Sequence, residues 1–181
     1  MRFKGTVVKI LVYALSIIII ILFQTTISDY MKINNVKPNL ILVYTVCTSI
    51  LEGSKGGGII GLFAGLALDI IAGKIIGFYA LFGMYLGVIA GMSNRRLYKD
   101  NIIVVIFFTF FLTFVYESGV YLLSNPEITR SIMLYALKNI IFTEALYNGG
   151  LSIIVHILVM KINARFNFGD DYRQNTSAKR R

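Results

Sequence analysis

The chain has no tryptophan, one cysteine, one histidine, two prolines and only nine acidic residues in 181. Each shortage removes a class of protein. A lone Cys47 excludes an intrachain disulfide and a cysteine-built metal cluster, and its place inside an apolar run suits a small buried residue. With His156 as the one histidine there is no H-E-x-x-H zinc helix, and no G-x-S-x-G elbow is present. The run Gly53-Ser54-Lys55-Gly56-Gly57-Gly58 has the glycines and lysine of a phosphate loop but lacks its G-K-[ST] ending. Catalysis has no residue set to rest on, and neither a cofactor nor a metal is expected.

Charge is scarce as well. Charged residues make up 15% of the chain against 56% hydrophobic, and the mean hydropathy is +0.72. That is the composition of a polytopic membrane protein with one compact domain. The net charge of +9 is scattered through short loops and tails, so the membrane is the expected partner and nucleic acid is not. Without tryptophan, an interfacial belt must come from tyrosines such as Tyr30, Tyr79, Tyr98, Tyr121 and Tyr135.

What is abundant is apolar run and glycine. The pattern predicts an all-α, six-helix transmembrane bundle over residues 1–161. Spans are expected at about 7–27, 39–51, 57–72, 75–93, 102–123 and 137–160, followed by a basic, disordered cytoplasmic tail at 162–181. The first span follows Arg2, Lys4 and Lys9 like a signal peptide, but it is too long and has no small-x-small cleavage site, so it reads as uncleaved. Pro38 suits the first turn of the second helix, which is short for a full crossing. Asn125, Pro126 and Glu127 read as the start of a short surface helix at about 126–136.

Between Gly53 and Gly91 small residues recur in steps of four. Gly57, Gly61, Gly65, Gly73 and Gly77 form one ladder with Asp69 in its missing place, and Gly83, Gly87 and Gly91 form a second. Steps of four stay on one helix stripe, and in lipid close backbone approach through such residues is a main route to packing. All eight glycines are therefore expected to pack helices together, with Asp69 on the packed face.

Polar stripes mark two further spans: Thr109, Thr113, Glu117 and Tyr121 on one, and Glu144, Asn148, Ser152 and His156 on the other. Counting Lys and Arg on alternate sides of six spans puts 13 of the 18 on the side of both chain ends, among them Arg95 and Arg96 in a basic turn. That bias places both termini in the cytoplasm. Asp69, Glu117 and Glu144 then lie about 5 to 10 Å below the outer surface. Carboxylates at such depth are costly facing lipid, so they are expected to line a shared outward polar cavity or a groove for another protein, together with Asn148. For Asp69 a local pair with Lys74, or a reach to the headgroups, stands as the alternative. Asn148 also reads as an interhelical hydrogen-bonding residue, and His156 as a bundle histidine.

One sequence of motifs carries a resemblance. Pro38-Asn39-Leu40 opens a short helix, G-x3-G-L-x-x-D follows at Gly61 to Asp69, G-x-x-x-G leads to Arg95-Arg96, Tyr116-Glu117 comes next, and Glu144 and Asn148 lie in the last span. Over residues 36 to 160 this resembles the rod-shape-determining membrane protein family MreD, whose members often have Asp where this chain has Asn39. The resemblance implies a non-enzymatic scaffold of the bacterial elongation machinery in the cytoplasmic membrane, similar in layout to the substrate-binding subunits of energy-coupling-factor transporters. It also implies partners: a bitopic MreC-like protein, the actin-like MreB, and the glycosyltransferase and transpeptidase of side-wall peptidoglycan synthesis. The competing reading is a substrate-binding membrane subunit of a vitamin-type transporter, sharing the fold and using the cavity for a ligand.

Overall fold

Every residue from Ile41 to Ile50 is buried, which places this short apolar stretch at the centre of the molecule. The computed structural model describes the backbone of residues 2–26, 30–33, 35–72, 77–94, 101–125, 127 and 129–178, and the side chains of these between 8 and 165 except 72. Its helices are α1 (Arg2–Thr26), α2 (Leu40–Ala72), α3 (Phe78–Met92), α4 (Ile102–Ser124), α5 (Arg130–Ala136) and α6 (Phe142–Ala178). No strand occurs among the described residues. Four apolar stretches are long enough to cross a membrane, Val8–Thr26, Leu40–Ile71, Ile102–Ser124 and Arg130–Arg165, and α3 is a shorter apolar helix.

The second helix is not one rod. At Gly53 the backbone takes φ 84° and ψ 176°, a conformation that only glycine adopts cheaply. A straight helix would separate Thr45 from Gly61 by about 24 Å, yet the two residues line the same small crevice. A Cβ added to Gly57 would likewise meet the Ser49 side chain. The chain therefore doubles back at Gly53, giving a first arm up to Glu52 and a second arm that returns alongside it. Residues 54–56, expected between helices, belong to the second arm.

Encasement by protein explains how so short a first arm is tolerated: it meets no lipid, so it need not match the bilayer's thickness. Its threonine and serine hydroxyls are spent locally. Thr45, Thr48 and Ser49 each donate to the carbonyl four residues back, at 2.8, 2.6 and 2.6 Å.

The second arm packs on α3 by backbone contact. A Cβ on Gly61 would fall on the carbonyl oxygen of Gly83, and one on Gly83 would fall on that of Gly61. Gly57 and Gly87 block each other in the same way, Gly65 abuts Tyr79 and Ala80, and Gly91 abuts Gly53 and Ser54. Gly77 departs from its expected role: it stands outside α3 at φ +97°, an added Cβ would touch nothing, and it is a turn residue rather than a packing one. Gly73, Lys74, Arg95, Arg96, Tyr98 and Pro126 lie outside the described residues.

Helix α1 is the outlying member. Hardly any of Val8–Thr26 is buried, whereas about half of Leu40–Ile71 is, and the exposed face of α1 is leucine, isoleucine and phenylalanine, as a lipid-facing helix requires. The surface helix expected at about 126–136 is not separate. Helix α5 begins at Arg130 and runs through a π-helical turn, Leu137–Ile141, into α6 without a break. Nothing between Ile132 and Phe142 is a proline or glycine that would stop it. Asn125 closes α4 instead of opening α5, its Nδ2 donating to the Tyr121 carbonyl at 2.9 Å. Pro38 precedes the capping residue of α2 and lies outside the helix. The backbone of α6 stays helical to Ala178, where a tail without regular structure is expected from composition. Intrahelical hydrogen bonds continue past the apolar run because a polar surface does not forbid them.

Cys47 is fully buried on the first arm, with its Sγ 3.7 Å from the Ser152 carbonyl. It is expected to resist maleimide in native membranes and to label completely after denaturation, which mass spectrometry of the intact chain would read.

Candidate functional site

Asn39 joins three helices. As cap of α2 it accepts the Leu42 N–H on its Oδ1 at 3.1 Å, and its carbonyl accepts the Val43 N–H at 3.0 Å. Its remaining donors point sideways: Nδ2 donates to Glu117 Oε1 on α4 at 3.1 Å, and its N–H donates to Asn148 Oδ1 on α6 at 2.9 Å. A side chain able to accept and donate at once is needed there, and an amide is one.

The loop before Asn39 is held just as firmly. Gln24, near the end of α1, donates from Nε2 to the Pro38 carbonyl at 2.9 Å and accepts the Leu40 N–H on Oε1 at 2.9 Å. Tyr147 on α6 donates to the Met31 carbonyl at 2.9 Å. Ile33 and Val36 exchange backbone bonds around Asn35, whose φ of 64° is tolerated by asparagine.

Both polar stripes face the bundle interior. Thr109, Thr113, Asn148, Ser152 and His156 are all fully buried. Where the stripes end, Glu117 and Glu144 come within hydrogen-bonding reach of each other. The π-helical turn lies just before Glu144, and such a turn rotates the side chains that follow it relative to a continuous α-helix. Above the pair lies a cavity of about 330 Å³, bordered by Asn39, Lys37, Tyr79, Leu68, Ile71 and Ile140 as well as the two glutamates. The cavity combines a surplus of hydrogen-bond acceptors with apolar walls.

The third carboxylate does different work. Asp69 is buried, and its two oxygens accept three backbone N–H groups at the start of α3: Gly77 at 2.8 Å, Tyr79 at 2.8 Å and Ala80 at 3.2 Å. Helix starts leave such donors unsatisfied, and Gly77 has no side chain to cap them, so a carboxylate from the neighbouring arm serves. Its neighbours Leu68 and Ile71 border the cavity, while Asp69 itself faces α3.

Sequence reasoning overlooked Gln24, assigned Tyr79 to an interfacial belt and not to the cavity it borders, and gave Asn39 no role of its own. The available signal for Gln24 and Asn39 was an amide on either side of a proline-containing loop between two apolar runs. It also overlooked a cluster at the opposite end of the molecule. There Glu52 accepts the Tyr13 hydroxyl at 2.7 Å and pairs with Lys9 at 2.7 Å, while Asn94 donates to the Leu51 carbonyl at 2.8 Å, bracing the Gly53 reversal from both sides.

With this geometry in hand, the model of one protein family, rod shape-determining protein MreD, matches residues 1–163 of the chain. The chain belongs to the MreD family. No curated protein and no solved structure matches it. As an MreD-family member it is a rod-shape-determining, multi-pass membrane protein that works with the cell-shape machinery. The matched span takes in every residue of the cavity and of the Asp69 cap.

Proposed function

We propose that the protein is a non-enzymatic scaffold of the cell-elongation machinery, which holds a bitopic MreC-like partner and through it helps control side-wall peptidoglycan synthesis. Six membrane segments, counting the two arms of α2 separately, leave both chain ends in the cytoplasm and turn the cavity outward, in line with the bias of Lys and Arg. The actin-like MreB and the wall-building glycosyltransferase and transpeptidase are the further partners this role entails. The observation that carries the reading is the gathering of Asn39, Glu117, Glu144 and Asn148 from three helices at one end of the bundle. Carboxylates at membrane depth, even partly buried ones, are retained against their desolvation cost where something recognises them.

Two measurements test this. Depleting the protein in its own host is expected to round rod-shaped cells; unchanged rods would remove the scaffold reading. Glu117→Leu or Glu144→Leu is expected to reduce co-purification of the bitopic partner about tenfold, a loss on the order of 1.4 kcal/mol. Cys47→Ala should leave it near the parental level. Equal effects of all three would reduce the carboxylates to local structure, and a stoichiometric small molecule in place of the partner would favour a transporter subunit.

A further inference from the structure

The scaffold reading leaves open what the cavity grips. Glu117 and Glu144 are only partly buried, and together their four oxygens offer far more acceptor capacity than the site uses. Among the described residues Asn39 Nδ2 donates to Glu117 Oε1 at 3.1 Å, and the two carboxyl groups stand within reach of each other. Asn148, buried completely and beside Glu144, leaves its Nδ2 without a hydrogen bond among the described residues. The Lys9–Glu52 ion pair lies at the far end of the molecule and does not reach this site.

A cavity of about 330 Å³ stands directly over this acceptor-rich floor, with Leu68, Ile71 and Ile140 along its sides. An occupant that matches must carry several donors in one plane to span two carboxyl groups, a positive charge, and an aliphatic stem to lie on the apolar walls. A guanidinium has five N–H donors in a fixed fork and is more weakly hydrated than an ammonium, so it gives up less on entering. Its methylene stem covers apolar surface while the head stays polar.

Resting on the scaffold reading, we infer that the Glu117–Glu144 cavity receives an arginine side chain from the outward-facing segment of the partner protein. Lys37, which borders the cavity and has interactions of its own, is the in-chain competitor for the same acceptors.

The test uses the full chain, purified in detergent, with n-propylguanidinium as probe and n-propylurea as its uncharged isostere. Saturation-transfer NMR is expected to detect the guanidinium and not the urea. Affinity should fall at least about tenfold in the Glu117→Gln/Glu144→Gln variant, which keeps shape and removes charge. Glu52→Gln, at the other end, should bind like the parent, and Lys37→Gln should bind as well or better. Equal binding of both probes, or an equal loss in Glu52→Gln, would overturn the inference. In cells, a photo-crosslinker at position 140 is expected to capture an arginine-containing segment of a membrane-anchored protein, and to lose it in the double glutamine variant. Capture of a lipid or a free guanidino compound alone would overturn the partner assignment. Depletion does not involve the cavity, so rounding on depletion combined with no guanidinium binding would discard this inference and leave the scaffold standing.

Discussion

Gly61→Leu is expected to prevent stable folding, at a cost of about 4 kcal/mol or more, because the first added carbon would occupy the position of the Gly83 carbonyl oxygen. Relief would require the second arm of α2 and α3 to part, and the contacts at Gly57–Gly87 and Gly65–Ala80 would open with them. Gly61→Ala should fall between the two, at about 2 kcal/mol, since a methyl demands a smaller separation. Size-exclusion profiles of a fluorescent fusion in detergent would rank parent, alanine and leucine in that order. A monodisperse leucine variant would show that the two helices meet elsewhere.

Asp69→Ala should be nearly as severe. It removes the acceptor of three N–H groups inside the bundle, where bonds to a charged group contribute about 1.5 to 3 kcal/mol each and unsatisfied donors add a penalty. Allowing for partial relaxation, the expected loss is about 3 to 5 kcal/mol. Asp69→Asn retains one oxygen acceptor and should lose about half as much. The readout is the unfolding midpoint of the purified protein against denaturing detergent. Because the affected donors lie at the start of α3, hydrogen exchange should quicken at Gly77, Tyr79 and Ala80 in the alanine variant and remain slow at Ile50. Uniform quickening at both places would mean that Asp69 holds the whole bundle.

These two residues show what a sequence discloses and what it withholds. Glycines at steps of four announce a close-packed stripe, because spacing alone determines which residues share a helix face. The stripes at Thr109, Thr113 and Glu117, and at Glu144, Asn148 and Ser152, follow the same arithmetic, and their interior placement follows from the cost of facing lipid. Asp69 continues the glycine series and so looks like one more member. Its capping role depends on the left-handed backbone of Gly77, eight residues away across a turn, and no periodicity encodes that. Gly77 itself fits the series by number and leaves it by conformation. Asn39 and Gln24 matter because a loop folds back on them, and single amides carry no repeat that would show it. The continuity of α5 with α6 was hidden by a proline that suggested a helix start several residues before the one that forms.

The doubling back at Gly53 also constrains how the protein can be made. The arm from Leu40 to Glu52 leaves the ribosome before the second arm, α3, α4 and α6, which supply most of the walls that later enclose it. During that interval it must endure direct exposure to acyl chains. The return of each Thr45, Thr48 and Ser49 proton to its own helix makes the wait survivable, since the arm carries these three hydroxyls into lipid already quenched. The most enclosed part of the finished molecule is thus provisioned to stand alone before its shelter has been synthesised.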